Sequence, residues 1–382
     1  MNNSECLSGA TGRAGGGPLA GVRIVEFAGI GPGPFAVMML ADMGAEVVSV
    51  ARPGNGIKPA TDFIFRGRRV VELDLRREEG WAKAIELAAS ADAVVEGFRP
   101  GVMERMGLGP DQLIERNPRL VFARMTGWGQ SGPLSSTAGH DINYLSLTGA
   151  IDSIRSRQGE PVAPLNLVGD YGGGALYLVV GILAALLEVQ RTGRGQVIDA
   201  AICDGAASLM SVFHSLVAQG RWPGEPGHNL LDGGAHFYGT FRCADGKYFA
   251  LGAIEPQFHA ILCEKLGLEC RPAEQLDRAA WPRLRERVAE IVKSRTLAEW
   301  TEVFQGSDAC ASPVLSMNES VEHPHMVARG VYDSSQGFVQ PRPAPRFSNH
   351  TGARISSVAE EASNPDDILR AWHAREPAEA RD

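Results

Sequence analysis

The chain has 382 residues, of which 44% are hydrophobic and 21% charged, and its formal net charge is −8 at pH 7. This length exceeds what one hydrophobic core usually supports, so the composition predicts a globular protein of two domains. The acidic balance argues against nucleic acid or an anionic membrane as a partner. The six cysteines show no C-x-x-C spacing, which favours reduced thiols in a cytoplasmic protein over a disulfide framework or a zinc site.

Strands and helices alternate through the first half of the chain. Residues 1–17 precede them as a Gly- and Ser-rich tail, which we expect to be disordered and to contain no signal peptide. The predicted strands are 22–27, 46–50, 93–96 and 119–125, and the predicted helices include 34–44 and 78–89. This alternation predicts an α/β fold with a Rossmann-like, doubly wound parallel sheet, whose ligand crevice lies at the C-terminal strand ends.

The loop after the first strand, GIGPGP, only partly matches a dinucleotide-binding turn. Pro32 and Pro34 lack the amide donors that a pyrophosphate needs, and the full G-x-G-x-x-G pattern is absent. The second strand is followed by Arg52, where a dehydrogenase requires an acidic residue for the ribose. The sequence therefore disfavours NAD binding.

Several arginines lie near predicted strand ends. Arg52 and Arg99 follow strands, and Arg66, Arg68 and Arg69 precede another. Three arginines on one loop can clamp a phosphate because guanidinium forks match phosphate oxygens. A solvated, charged turn explains the same residues. The sequence leaves both interpretations open.

The stretch 139–174 contains the candidate acid/base groups. It begins with His140 and Asp141 behind a glycine and ends with Asp170 in front of three glycines. The apolar run 175–187 is too short to cross a bilayer and predicts a buried helix, so Asp170 would lie beside the free amides of a helix N-terminus. Each residue also has an ordinary structural explanation, and a separation of 30 residues says nothing about distance in space.

The second half of the chain changes character. A strand at 196–201 and a long helix at 204–219 are followed by a Pro- and Gly-rich linker at 221–235. Asp245 and Gly246 predict a β-hairpin turn, and Pro256 begins a helix. We therefore expect a large domain at 18–220, a smaller α+β domain at 236–325, and a C-terminal segment at 326–382 that returns to the large domain.

Longer strings resemble a known family. PLAGVRIVEFAGIGPGPFAVMMLADMGAEVV, ARMTGWGQSGP, AGHDINY, PLNLVGDYGGG, GAIEPQF and SDACASPVL are similar to sequences of the class III CoA-transferase superfamily, and within it to the α-methylacyl-CoA racemases. The resemblance extends from about residue 18 to residue 348. It implies a Rossmann-like large domain, a small domain and an interlocked homodimer, with the active site between the large domain of one chain and the small domain of the other.

The resemblance also assigns roles to residues. It places the catalytic histidine on His140, the catalytic aspartate on Asp170, and on Glu255 the glutamate that orients the histidine. The residues that it implies for the CoA thioester are Arg52, Arg66, Gly67, Arg68, Arg69, Leu75, Phe98, Arg99, Gly139, Asp141, Ile142, Asn143 and Tyr144. This sequence departs from the family's pattern at Ala51, where an acid is usual, and at His236 and His259, where proline and tyrosine are usual.

Racemisation is the chemistry that these residues would support. Removing the α-proton of a thioester gives an enolate, and inversion requires one group to take the proton and another to return it on the opposite face. The ordinary pKa values of histidine and aspartate, about 6.5 and 3.9, match poorly, so we expect burial to raise that of Asp170. No metal or redox cofactor is required, since CoA is part of the substrate.

Two alternatives come from other classes. In a CoA-transferase Asp170 would instead be a nucleophile that forms a mixed anhydride, and His140 and Glu255 would have no required role. GAIEPQF stands where such transferases generally have a further glycine-rich loop. A catalytically inactive acyl-CoA-binding protein would keep the arginines alone. The sequence does not indicate which 2-methylacyl group is the substrate.

Overall fold

The computed structural model describes residues 16–156, 159–223, 227–350 and 355–374, and the chain divides into two units. Unit 1 contains the described residues of 1–148, 165–209 and 332–382, and unit 2 contains those of 149–164 and 210–331. Most of the predicted N-terminal tail lies outside the described residues. The sequence assigned 149–164 and 210–220 to the large domain, whereas their contacts place them in unit 2.

Unit 1 contains a parallel sheet of six strands. In chain order these are β1 (Arg23–Phe27), β2 (Glu46–Ala51), β3 (Arg68–Glu72), β4 (Ala93–Glu96), β5 (Val121–Thr126) and β6 (Val197–Ala201). They lie in the order β3-β2-β1-β4-β5-β6, and every ladder is parallel. This order is the doubly wound arrangement, with its topological switch point between β1 and β4. The predicted α/β class with a parallel sheet is confirmed.

Helices cover both faces of this sheet. The helices of unit 1 are α1 (Pro32–Asp42), α2 (Glu78–Ala89), α3 (Val102–Arg105), α4 (Pro110–Arg116), α5 (Asp141–Leu147), α7 (Leu176–Thr192), α8 (Ile202–Leu209) and α15 (Pro365–His373), numbered in chain order. One hydrophobic core lies between the sheet and α1 and α7. A second core lies between the opposite face and α2, α4 and α15. The C-terminal helix joins unit 1 because its Ile368, Leu369 and Trp372 are buried in that second core.

Helix α7 continues a π-helical segment at Leu167–Ala175, so the helical stretch is longer than its apolar run predicts. Leu167–Thr192 is long and apolar enough, by length and composition alone, to cross a membrane, and its most apolar window of 18 residues has a mean hydropathy of 2.0. The core helix of a globular protein passes the same test, and Leu178, Ile182 and Ala185 bury one face of α7 in unit 1. The opposite face is exposed at Val180 and Leu187, so the prediction of a buried helix is right for one face only.

Unit 2 contains an antiparallel sheet and its covering helices. The strands β7 (Tyr238–Arg242), β8 (Tyr248–Gly252) and β9 (Ala311–Val314) pair in that order. The helices are α6 (Ala150–Ser153), α9 (Ser211–Ala218), α10 (Pro256–Leu266), α11 (Trp281–Val292), α12 (Leu297–Phe304), α13 (Met317–Glu322) and α14 (Pro324–Arg329). The predicted hairpin at Asp245 and Gly246 joins β7 to β8. The hydrophobic core of unit 2 contains Phe237, Phe249, Leu262 and Trp300. A short hairpin of β10 (Tyr332–Asp333) and β11 (Gln340–Pro341) belongs to unit 1.

The predicted helix at 204–219 is instead two helices. Helix α8 ends at Leu209 and α9 begins at Ser211, with Met210 between them. The division between the two units falls at the same point. Apolar spacing continues across this break, so the sequence pattern alone could not reveal it.

Candidate active site

A cavity of about 430 Å³ lies in unit 1 beside the switch point of the sheet. Its walls come from the segments that follow three strands: Gly29–Pro34 after β1, Gly97–Pro100 after β4, and Gly127 and Trp128 after β5. His140 and Asp170 both line it. The structure therefore brings together the two acid/base candidates that the sequence could only name separately.

His140 is placed by the start of helix α5. It is the N-cap residue of that helix, and its backbone N–H donates to Asn143 Oδ1 at 3.0 Å. Tyr144 is buried, donates from its hydroxyl to the carbonyl of Gly139, and packs edge-on against Trp128 with ring centroids 4.7 Å apart. These contacts fix the backbone around His140 while its side chain stays exposed to the cavity.

Asp170 lies within the π-helical segment, where Asp141 holds the backbone. The Asp141 carboxylate accepts the Asp170 N–H at 2.7 Å and a further hydrogen bond from the Gly169 N–H. A Cβ on Gly169 would lie 2.2 Å from Asp141 Oδ2, so only glycine permits this approach. Asp141 therefore ties the start of α5, which carries His140, to the segment that carries Asp170. π-Helical turns of this kind often occur at functional sites.

This arrangement corrects one expectation from the sequence. We expected Asp170 to lie beside the free amides of a helix N-terminus. The amides of Gly169 and Asp170 are instead occupied by Asp141. These hydrogen bonds require the start of α5 and the π-helical segment to approach closely, which the sequence does not reveal. From the sequence, Asp141 was assigned only a role in lining the thioester site.

The pKa of Asp170 is raised above its ordinary value. Burial is the largest cause, and the nearby charge of Asp141 adds to it. A hydrogen bond from Asn166 Nδ2 at 3.5 Å and the field of His140 act in the opposite direction. Burial also raises the pKa of Asp141. A raised carboxyl pKa suits a group that must both accept and return a proton near neutral pH.

A second cavity of about 840 Å³ joins the first. Phe27, Gly29, Ile30 and Phe98 line both cavities, so they form one groove along the C-terminal end of β1. Arg52 and Lys58 supply positive charge to the second cavity, and Arg76 lines it in an exposed ion pair with Asp74 at 2.9 Å. Ala51 and Leu75 also line this cavity. Sequence analysis identified Arg52, Leu75 and Phe98 but missed Lys58 and Arg76. Their only sequence signal was their position after β2 and β3.

The predicted arginine clamp has a different structure. Arg66 and Arg68 are 2% and 5% exposed, and Arg68 and Arg69 lie in β3 rather than on a loop. Arg68 bonds to both carboxylate oxygens of Glu26 and to the carbonyls of Pro34, Ile64 and Arg66, which uses all five of its N–H donors. Arg68 thus lines the second cavity with no donor left for a phosphate.

The neighbours of Arg68 are also committed to the fold. Arg66 pairs with Asp42 at 2.5 Å and donates to Gln340 and to the carbonyl of Pro341. Arg69 is partly exposed and pairs with Glu46 at 3.3 Å. Gly67 has a φ of +77°, which permits the turn between Arg66 and Arg68. Arg66 therefore serves to hold α1 and the C-terminal hairpin together, and a solvated turn is equally excluded for it.

The remaining predicted residues are distributed over both units. Arg99 is exposed at the first cavity, and Ile142 and Asn143 lie in the first turn of α5. Glu255 belongs to unit 2, where it is the exposed N-cap residue of α10.

Comparison with known proteins places the chain among its relatives. A family model described as CoA-transferase family III matches residues 19–359. The chain belongs to CoA-transferase family III. Within the family it is 46% identical over 333 residues to an α-methylacyl-CoA racemase of Mus musculus, with 86% of each chain covered. It is 45% identical over 334 residues to an α-methylacyl-CoA racemase of Homo sapiens, with 87% of each chain covered.

A solved crystal structure also has a fold similar to that of this chain. The crystal structure of a hypothetical protein from Mycobacterium tuberculosis has a TM-score of 0.77 and 29% sequence identity to this chain. The match covers 92% of this chain and 99% of that one. The mixed α/β fold of this chain is therefore similar to that of this solved protein.

Proposed function

We propose that this protein is an α-methylacyl-CoA racemase, which interconverts (R)- and (S)-2-methylacyl-CoA thioesters. The observation that carries the proposal is that His140 and Asp170 line one cavity, which opens into a groove bearing Arg52 and Lys58. The similarity to two racemases at 45–46% identity supports the same assignment. The proposal includes action as a homodimer in the cytoplasm, with no metal or redox cofactor in the proton-transfer reaction.

Proton transfer follows from the two groups in the first cavity. With the α-carbon of the thioester between them, one group removes the proton from one face and the other returns a proton to the opposite face. The reverse reaction exchanges their roles. The raised pKa of Asp170 makes this exchange less unequal, because an ordinary aspartic acid is a poor proton donor near neutral pH.

The groove suggests how CoA is held. Arg52, Lys58 and Arg76 lie where the nucleotide phosphates would reach, and charge-assisted hydrogen bonds to phosphate are among the stronger polar contacts. The shared wall of Phe27, Gly29, Ile30 and Phe98 suits the pantetheine arm. This assignment keeps Arg52 from the sequence analysis and replaces the Arg66–Arg68 clamp with Lys58 and Arg76.

The resemblance to the family supports a further role for Glu255. We propose that Glu255 of the partner subunit orients the imidazole of His140 and supports its cationic form, as carboxylates commonly do for catalytic histidines. Glu255 is an exposed N-cap residue and is therefore accessible for such a contact.

The deciding experiment follows both events at the α-carbon. The purified protein is mixed with (R)-2-methylacyl-CoA in D₂O, and α-deuterium incorporation and enantiomer composition are measured together by NMR. We expect exchange and inversion to proceed together to a racemic, deuterated product. A thioester that keeps its α-proton and configuration would contradict the proposal.

A CoA-transferase is the second candidate, because the matching family model is described by that activity and Asp170 lines the cavity. In that reaction the Asp170 carboxylate would attack the thioester carbonyl and release CoA as its thiolate. The same sample, supplied with free carboxylic acids, distinguishes the two. Efficient formation of new acyl-CoA thioesters without α-exchange would favour the transferase.

A further inference from the structure

Unit 2 contains a cluster of two buried imidazoles and two half-buried thiols. His236 and His259 are 0% and 4% exposed, and their Nε2 atoms lie 2.9 Å apart. Cys263 Sγ lies 3.5 Å from His259 Nε2, and Cys270 Sγ lies 3.9 Å from His236 Nε2. The ligand atoms of His236, His259 and Cys270 all lie within 4.8 Å of one another. Three potential metal-ligating atoms therefore lie close together, and Cys263 Sγ lies beside His259 as a fourth.

Regular structure brings these residues together. His259 and Cys263 are one turn apart on α10 and so face the same side of that helix. His236 comes two residues before β7, and Cys270 follows α10 after four residues. Phe237 packs edge-on against both imidazoles, with ring centroids 5.0 Å from His236 and 5.4 Å from His259. The cysteine spacing C-x₆-C gave no recognisable metal motif because the helix supplies the geometry.

Packing alone is a poor explanation of this cluster. Polar side chains in an apolar core are costly unless their polar atoms find partners. His236 Nδ1 is buried and has no hydrogen-bond partner among the described residues. The two facing Nε2 atoms can share only one proton between them. A bound cation would contact both Nε2 atoms and both sulfur atoms at once, and would fix the proton of His236 on Nδ1.

We propose that His236, His259, Cys263 and Cys270 form a tetrahedral site for a divalent metal ion, with zinc as the expected occupant. Zinc–nitrogen bonds of about 2.0–2.1 Å and zinc–sulfur bonds of about 2.3 Å place ligand atoms about 3.3–3.8 Å apart in a tetrahedron. Three of the six separations, at 2.9, 3.5 and 3.9 Å, need shifts of only a few tenths of an ångström, and Cys263 Sγ must move closer to the ligands other than His259.

Charge balance favours the same ion. Two neutral imidazoles and two thiolates would cancel the double positive charge, which leaves a neutral site in an apolar core. Binding releases the two thiol protons to solvent and involves no oxidation. Four protein ligands leave no open position for a substrate, so the site is structural. Its effect would be to fix α10, the helix that begins directly after Glu255, against the strand β7.

Cobalt binding tests the site directly. The full-length, untagged protein is stripped with a chelator under reducing conditions and titrated with Co²⁺, which gives distinctive spectra in tetrahedral thiolate sites. We expect one ion per chain, thiolate-to-cobalt charge-transfer absorption, intense visible ligand-field bands, and displacement by one equivalent of Zn²⁺. Zinc should also raise the melting temperature of the stripped protein.

Variants assign the signal to this cluster. Cys270→Ala and His259→Gln should lower metal affinity by more than the roughly 10–100-fold that loss of an outer-shell partner causes. Cys243→Ala is the matched control, since Cys243 is buried in the same core outside the cluster. It should leave the cobalt spectrum unchanged.

Three results would overturn the inference. The reduced wild-type protein could give no charge-transfer band, the Cys270→Ala protein could keep the full spectrum, or Cys263 and Cys270 could prove to be joined as a disulfide that excludes metal. Because these readouts are spectroscopic, they do not depend on whether the protein racemises any thioester.

Discussion

The carboxylate of Asp141 shows how a single residue can set the properties of the site without transferring a proton. It fixes the backbone of Asp170 through two amides and raises the pKa of the Asp170 side chain through its charge. Asn166 acts on the same carboxyl in the opposite direction. Two neighbours of Asp170 therefore adjust its pKa in opposing senses.

Substitutions of Asp141 and Asn166 should shift the pH dependence of catalysis in opposite directions. Asp141→Asn removes a like charge, lowers the pKa of Asp170, and should move the acidic limb of the kcat/KM profile to lower pH. Asn166→Ala removes a donor to the ionised carboxylate and should move that limb to higher pH. Measurement of kcat/KM against pH checks both. Shifts in the same direction would contradict the assignment.

His140 and Asp170 should each exchange the α-proton of a different enantiomer. Asp170→Ala should reduce the rate of inversion by about 10²–10⁴-fold. The variant should still exchange the α-proton of one enantiomer, because His140 remains. His140→Ala should restrict the residual exchange to the other enantiomer. NMR in D₂O with each pure enantiomer measures the preference. Full inversion by the His140→Ala protein would contradict the two-group mechanism.

Arg52 and Arg68 should respond differently to substitution. Arg52→Ala should raise KM for CoA thioesters about 10–100-fold, as loss of a charged hydrogen bond does, and leave short N-acetylcysteamine thioesters unaffected. Arg68→Met should instead reduce the free energy of unfolding, by about 3–5 kcal/mol, because it leaves Glu26 buried and unpaired. Kinetics with both thioesters and denaturant unfolding measure the two effects. An equal increase in KM for both substrates would show that Arg52 does not bind the CoA phosphates.

Among the secondary-structure elements, the glycines of the π-helical segment allow a close contact with α8. A Cβ on Gly205 would lie 1.8 Å from the carbonyl oxygen of Gly173, and a Cβ on Gly173 would lie 2.7 Å from the Ala206 nitrogen. Both obstacles are backbone atoms and cannot move aside as a flexible side chain can. The glycines that follow Asp170 therefore serve packing between helices, which the sequence pattern did not distinguish from a loop.

Gly205→Ala should consequently damage stability and activity together. Overpacking of this kind typically costs about 1–3 kcal/mol, and displacing the π-helical segment also moves Asp170. Gly181→Ala on α7 is the matched control, because its Cβ would meet only the side chain of Ile198 and alanine favours a helix by about 1 kcal/mol over glycine. Thermal unfolding and racemase assays compare the two. An unchanged melting temperature in Gly205→Ala would contradict the close contact.

At the scale of the whole molecule, the sequence predicted the parallel sheet because each central strand is a continuous apolar run between turns. It predicted neither the burial of Arg66 nor the role of Asp141. Gln340 lies 274 residues from Arg66, and Asp141 reaches amides 29 residues away. The sequence also did not predict the helix break at Met210 or the boundary between the units there, because the apolar spacing continues through this point. Contacts that decide the site depend on the folded topology.

The proposed homodimer predicts complementation between inactive subunits. His140→Ala and Glu255→Ala chains, co-expressed and purified as heterodimers with two different tags, should regain activity, because one of the two sites would contain both residues. About half of the wild-type activity per dimer is expected if the sites act independently. Each homodimeric variant serves as its own baseline. Verified heterodimers with no recovery would argue that each site is built within one chain.

The path of the chain between the two acid/base residues has a consequence for engineering. The backbone leaves unit 1 after Thr148, eight residues beyond His140, and re-enters it at Leu165, five residues before Asp170. The covalent connection between the two groups therefore runs through the other unit. Unit 1 cannot be obtained as one uninterrupted fragment: it would need designed bridges from residue 148 to 165 and from 209 to 332, and the first of these must preserve the hydrogen bonds of Asp141.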